Sequence, residues 1–378
     1  MLDLTGSTTD LGLVLAAGMV PQVLLILFGG VFADRLPRNL VMVGSNLISA
    51  AAQGGIAVLL LTHHAKLWHL IALQVVRGVA LSFFFPASLG LVPQTVRPGL
   101  LQQANALLGM TKNGTNILGA ALGGAFVAVA GAGWALAFDA GTYAASAAVL
   151  AAMRLPRAQK VDAPNMLREL REGWSEFASR TWLWVIVIAF SFSNMVWTGA
   201  VGVLGPIVAK RFLGGATAWG VIVAAEGAGL LAGGLLLLRF RPQRPLFVGM
   251  AAFSFASLPL VLLASVRSTV VIALGFVIAG IAIEIFGVAW ATALQEHVPL
   301  EILSRVSAYD ALGSIVFIPL GFAIAGPVAD AVGLKEALLL AAAISTVSAV
   351  TTLFVRDVRD LRRRDVDASL VQTLEVVP

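Results

Sequence analysis

Cysteine is absent from the 378 residues, which excludes disulfides and thiolate metal sites. Charge is scarce too. Asp, Glu, Lys and Arg make up 12% of the chain, against roughly 25% in an ordinary soluble domain. No GxxxxGK[ST] phosphate loop occurs, so nucleotide-driven work within this chain is not expected. No Ser/His/Asp or metalloprotease spacing occurs either, and an enzyme is not expected. His63, His64 and His69 lie close in sequence, but their place beside apolar runs reads as interfacial, and no metal or other cofactor is expected. Asp3 stands before the first apolar run with no basic residue near it, which does not fit a cleavable secretion signal.

What is abundant is apolar sequence. The chain is 59% hydrophobic with a mean hydropathy of +0.92, more than a soluble core buries. A spanning helix needs about 20 apolar residues. Eleven such runs are present, at about 10–33, 40–61, 68–92, 104–130, 133–153, 181–206, 217–238, 245–266, 269–293, 306–329 and 334–355. The 38 glycines fit close helix–helix packing, with AALGGAFVAVAG (120–131) and GAGLLAGG (227–234) the densest stretches. The fold class expected is therefore an all-α polytopic membrane protein.

The pI near 10.1 reflects basic residues set between apolar runs. That pattern suits an anionic lipid surface, and no nucleic acid partner is expected. Eighteen basic residues fall in one set of connections and the tail, among them Arg35, Arg38, Arg97, Arg239 and Arg305. The opposite set holds Lys66, Lys210, Arg211, Arg267 and Lys335. By the positive-inside rule the first set is cytoplasmic, which places the C-terminus in the cytoplasm and Met1 outside. The localisation expected is a bacterial cytoplasmic (inner) membrane, crossed many times.

The longest connection, 154–180, divides the chain into a helical half at 1–153 and another at 181–355. Within it Leu167, Leu170, Trp174 and Phe177 recur at helical spacing, which predicts an amphipathic helix lying on the membrane surface. The tail, 356–378, is charged and expected to be mobile. The halves repeat weakly. LGLVLAAG (11–18) resembles WGVIVAAE (219–226), and GGVFADRLPRNLVMVG (29–44) resembles GGLLLLRFRPQRPLFVG (233–249). VRPGLLQQANAL (96–107) resembles VPLEILSRVSAY (298–309). Direct repeats of this kind imply halves related by an axis along the membrane normal. The run at 181–206 has no counterpart in the first half. The expectation is a twelve-helix plan from which the first helix is absent, through a misplaced start or a real truncation.

These residues resemble the major facilitator superfamily, from its second helix to its end. The likeness rests on GGVFADRLPR, on Arg77-Gly78 with FFFPA (83–87), on RFRPQRP, and on LVPQTVRPGLLQQANAL and LQEHVPLEILSRVSA. Within that superfamily the chain is similar to the proton-coupled drug and siderophore exporters, the macrolide-efflux and enterobactin-exporter-like branch. The resemblance implies two six-helix halves and export of a hydrophobic or amphipathic small molecule by alternating access, with the proton as coupling ion. A monomer in the lipid bilayer is expected. It also implies a conformational latch at the turn Asp34, Arg35 and Arg38, which otherwise reads as a set of topology charges. The turn departs from the usual Gly-Arg-Arg ending, with Leu36-Pro37-Arg38-Asn39 in its place. Its second-half copy has Leu238 where Asp34 stands, so the acid serves one half only.

A charge at mid-bilayer costs about 2.5–3.5 kcal/mol on insertion scales, so each one asks for a reason. Arg77, Glu226 and Glu284 sit deep in their runs and are candidates for proton and substrate coupling. A structural ion pair of Arg77 with Glu284, and a Glu226 bonded to a backbone carbonyl, are the plainer alternatives. Asn194 is a candidate cavity hydrogen-bonder or interhelical glue. Lys112, Asp139 and Asp310 are weaker candidates. Lys112 snorkels, and Asp139 and Asp310 favour helix N-termini. An uncoupled facilitator or importer, and a non-transporting remnant, are the other functions left open.

Overall fold

The computed structural model describes residues 8–153, 155 and 165–364. Among them every regular element is helical. The helices are α1 (Thr8–Arg35), α2 (Arg38–Leu61), α3 (Leu67–Thr95), α4 (Leu101–Ala152) and α5 (Met166–Ser179). They continue with α6 (Thr181–Leu213), α7 (Ala216–Arg239), α8 (Pro245–Ser265), α9 (Thr269–His297), α10 (Leu303–Val332) and α11 (Leu334–Thr352). A single turn, α12 (Arg356–Arg359), closes the series. Part of the connection, at 154 and 156–164, lies outside the described residues, as does the tail from 365.

Among the described residues, ten helices are long and apolar enough to cross a membrane. The remaining run, 104–130, forms the first part of α4. Gly131 (φ 83°, ψ 163°) breaks that helix where the sequence separates the runs 104–130 and 133–153. A left-handed φ costs a side chain dearly, so only glycine makes this corner without strain. Large side chains such as Leu24, Leu122, Phe138 and Val270 are about two-thirds exposed, as lipid-facing residues are.

The described residues form two compact units. Unit 1 takes 1–95, 118–176 and 298–312; unit 2 takes 96–117, 177–297 and 313–378. Each unit draws on both sequence halves, because α4 and α10 each place one end in each unit. In unit 1, α1 packs on α3 and α3 on α2. In unit 2, Ile222, Leu260, Leu263, Ile272, Phe276 and Leu338 form an apolar core between α6, α7, α8, α9 and α11.

The amphipathic helix expected in the connection forms as α5, with Leu167 (72%) and Trp174 (53%) exposed and Glu169 (3%), Gly173 and Phe177 buried. Two expectations are corrected. Asp310 does not open its helix. It lies two turns into α10, beyond the reach of the N-terminal dipole. The tail is not wholly free, because residues 356–364 form α12 and then an extended segment bonded to unit 2.

Candidate functional site

The turn between α1 and α2 is built for close approach. In α1, a Cβ on Gly29 would meet the Ser82 carbonyl of α3, and one on Gly30 would lie 2.8 Å from the Ser304 carbonyl of α10. The Gly-Gly pair therefore lets two helices touch the end of α1 at once. One turn later, Asp34 meets the start of α10 within unit 1. Its Oδ1 accepts from the backbone N–H of Ser304 (3.2 Å) and its Oδ2 from that of Arg305 (3.1 Å). Those N–H groups lack helical partners and carry the positive end of the helix dipole. The Arg305 side chain adds Nε to Oδ2 at 3.2 Å, and Arg38 adds Nη2 to Oδ1 at 2.8 Å.

Arg38 stays buried because its donors are taken. Nε donates to Ser304 Oγ (3.1 Å), Nη1 to the Gly90 carbonyl (3.1 Å) and Nη2 also to the Leu300 carbonyl (2.5 Å). Pro37 (φ −55°, ψ 120°) opens α2 and sets Arg38 one turn from Asp34. Arg35 turns the other way and binds Glu169 of α5, at 2.5 Å through Nη2 and 2.9 Å through Nε. Arg305 lies 3.9 Å from Glu169 and 3.4 Å from Glu172. Arg168 also pairs with Glu172 at 2.9 Å, so Asp34, Glu169 and Glu172 share one cluster with four arginines. The Tyr309 hydroxyl donates to the Leu170 carbonyl, and its ring packs on Trp174.

Glu169 and Glu172 escaped the sequence reading, which followed the apolar residues of α5. The signal was present: Glu169, Glu172 and Glu176 recur at i, i+3 and i+7 and so share one helix face.

A second constellation lies in unit 2. Glu284 of α9 is buried, and its Oε2 accepts from Asn113 Nδ2 of α4 at 2.8 Å. Its Oε1 has no hydrogen-bond partner among the described residues. The carboxyl lies against the bare backbone of Gly109, where a Cβ would stand 2.0 Å from Oε1. The Lys112 side chain is exposed, and its charge reaches the Glu284 carboxyl. Glu226 of α7 is half-buried in the same unit, and its backbone carbonyl faces Gly280 of α9. Its carboxyl has no hydrogen-bond partner among the described residues, so the carbonyl-bonded alternative is not what forms.

The other candidates are dispersed. Arg77 of α3 belongs to unit 1, where its Nη2 donates to the Tyr143 hydroxyl (3.3 Å) and its Nη1 to Gln74 (3.4 Å). Asn194 of α6 donates to the Ser314 carbonyl at 3.0 Å in unit 2, which is the interhelical-glue arrangement. Asp139 accepts from Gln53 Nε2 at 2.6 Å. That bond belongs to a ladder from α2 in which Asn46 donates to Ser146 and Asn39 to the Leu150 carbonyl. Asn39, Asn46 and Gln53 are seven apart, a spacing that keeps them on one face. His69 Nδ1 accepts from the Lys66 N–H, and no three metal-ligating side chains gather among the described residues.

The model of the Major Facilitator Superfamily matches residues 1–314. The chain belongs to the Major Facilitator Superfamily. It is a multi-pass membrane transporter, not an enzyme. Its relatives include the multidrug efflux pump Tap of Mycolicibacterium fortuitum, 25% identical over 96% of this chain and 90% of Tap. Macrolide efflux protein A of Streptococcus pyogenes is 22% identical over 96% of this chain and 91% of that protein. Solved structures share the fold. A bacterial homologue of the iron transporter ferroportin, in its outward-facing state, covers 93% of this chain and 92% of its own (TM-score 0.72, 17% identity). The human organic anion transporter MFSD10 (TETRAN) covers 90% and 83% (TM-score 0.72, 17% identity). The all-helical major facilitator fold expected from the sequence is the fold observed.

Proposed function

We propose that the chain exports a hydrophobic or amphipathic small molecule across a bacterial cytoplasmic membrane, by alternating access and against inward proton flow, with its C-terminus in the cytoplasm. The observation that carries this reading is the Asp34 cluster. It joins the end of α1 to the first turn of α10 through bonds to backbone N–H groups that a small helix shift would break. A contact of that kind suits a latch that holds one state and releases in the other. The relatives named as multidrug and macrolide efflux pumps support the substrate class.

Glu284 is the coupling residue favoured here. Asn113 occupies one carboxyl oxygen and leaves the other for a proton or a substrate cation. Arg77 and Glu226 remain further candidates for coupling, and the protein works as a monomer without a bound cofactor. The test is dye or macrolide efflux from cells expressing the chain, with and without a protonophore. Efflux that collapses with the pH gradient supports the reading. Efflux that persists at equal rate makes the chain an uncoupled facilitator, and no efflux in any condition overturns export.

A further inference from the structure

The second sequence half has Leu238 where the first has Asp34, yet the end of α7 is hydrogen-bonded too, to Gln102. We propose that Gln102 fills the place of the missing acid, that Arg363 fixes its orientation, and that residues 361–364 form a strap which must release before this second closure opens. This inference rests on the alternating-access reading above.

All the contacts lie within unit 2. Gln102, buried at the start of α4, donates through Nε2 to the carbonyls of Leu237 (2.9 Å) and Phe240 (2.7 Å). Those oxygens belong to the end of α7, where helical acceptors have no partner of their own. The two halves thus solve one problem with opposite chemistry. In the first, a carboxylate accepts from a helix N-terminus; in the second, an amide donates to a helix C-terminus. An acid beside those carbonyls would be repelled, which suits an apolar Leu238 in that place.

An amide has two nearly identical ends, and something must choose between them. Here Arg363 chooses. Its Nη1 donates to Gln102 Oε1 at 3.1 Å, so Nε2 points to the α7 carbonyls. The guanidinium is held in turn by Glu296 of α9, 3.6 Å from Nε, with both side chains largely buried. The strap's backbone is tied as well. The Arg363 N–H donates to the Gln243 carbonyl (3.0 Å), the Arg364 N–H to Glu296 Oε2 (3.3 Å), and His297 Nε2 lies 3.1 Å from the Arg362 carbonyl. Arg241, in the turn after α7, donates to the Gly99 carbonyl and packs on Gln103. The start of α4, the end of α7 and the strap therefore meet at Gln102, and α9 holds the strap in place.

Arg363 Nη2 is buried without a hydrogen-bond partner among the described residues. An unmade bond of this sort offsets part of the closure's stability, which suits a contact that must be undone in each cycle.

The absence of cysteine gives a direct test. Cysteines placed at Leu100 and Gln243, both exposed, carry spin labels, and their separation is read in lipid nanodiscs by pulsed electron resonance. Arg363→Ala and Gln102→Leu are expected to move the balance towards longer separations by about tenfold, the effect of losing one charge-assisted hydrogen bond. Arg363→Lys, which keeps the charge and one donor, should fall between. Arg364→Ala keeps its backbone donor and should match the parent. Parent-like distances in both Arg363→Ala and Gln102→Leu overturn the strap. Export scored in the same variants separates the two ideas. Unchanged distances with proton-dependent export sink the strap and leave the transport reading standing. Shifted distances in a protein that exports nothing do the reverse.

Discussion

The Asp34 carboxylate accepts hydrogen bonds from the backbone N–H groups of Ser304 and Arg305, 270 and 271 residues away in sequence. No side chain other than an acid of this length meets two helix-terminal donors and two guanidinium groups together. In the alternating-access reading proposed above that bond is a latch, because a contact made by one turn of backbone is lost when the helices shift by even an ångström or two.

Asp34→Asn should keep one acceptor oxygen and lose the charge. Arg38 and Arg305, which are 4% and 6% exposed, would then lose their shared anion. Breaking a buried pair in this way costs about 3–5 kcal/mol, enough to depopulate the latched state. Export should fall by an order of magnitude or more while the amount of protein in the membrane stays the same. Efflux rates normalised to immunoblotted protein measure both, and parent-like efflux would refute the latch.

The two acids of α5 should differ sharply. Glu169 is 4% exposed at its side chain and holds Arg35 at 2.5 Å, whereas Glu172 is 46% exposed. Glu169→Gln should therefore lower the melting temperature in detergent by several degrees, corresponding to roughly 1–3 kcal/mol for a hydrogen bond to a charged group. Glu172→Gln should change it little, since exposed pairs contribute about 0–1 kcal/mol. Equal shifts would mean that α5 is not held by the Arg35 contact.

The apolar runs and the Gly131 corner were legible because length and hydropathy alone decide whether a helix spans. Abundant glycine was legible as a mark of close packing, but the neighbours of any one glycine were not. Gly30 faces α10, and no spacing rule links residue 30 to residue 304. The same limit hid the latch's partners. Asp34 binds backbone N–H groups, and backbone donors carry no letter in the sequence. Glu169 was hidden for another reason. Leu167 and Trp174 drew attention to an apolar face that suits lipid, while the acid stripe of the same helix does the binding. Gln102 was not legible because it serves the end of α7 from the other half of the repeat, and the backbone carbonyls it meets carry no letter in the sequence.

Asp139 separates structure from function in unit 1. Its partner Gln53 already has an unpaired Oε1 among the described residues. Asp139→Asn preserves an oxygen for Gln53 Nε2 and should leave both stability and export near the parent's. Asp139→Leu strands the Gln53 amide and should destabilise by about 1–3 kcal/mol. A loss of export in the Asn variant at unchanged thermal stability would instead make Asp139 a working charge.

Gly109 and Glu284 form the tightest test of coupling. Glu284→Gln keeps an oxygen for Asn113 and removes the titrating group, so export should continue down a substrate gradient but stop responding to the pH gradient. Gly109→Ala acts on the same carboxyl without touching its chemistry. Its methyl would stand 2.0 Å from Oε1, well inside van der Waals contact, and the neighbouring carbon is fixed in the helix. The carboxyl must therefore swing away from Asn113 or push α4 from α9. Proton-driven export should fall about tenfold, the effect of one lost hydrogen bond to a charged group. Glu284→Asp withdraws the carboxyl by one methylene, and the double variant Gly109→Ala/Glu284→Asp should recover part of the loss. Recovery ties the defect to the position of the carboxyl. A double variant no better than Gly109→Ala, with both proteins equally stable, would show that the glycine serves helix packing alone and that Glu284 is not where the proton is handled.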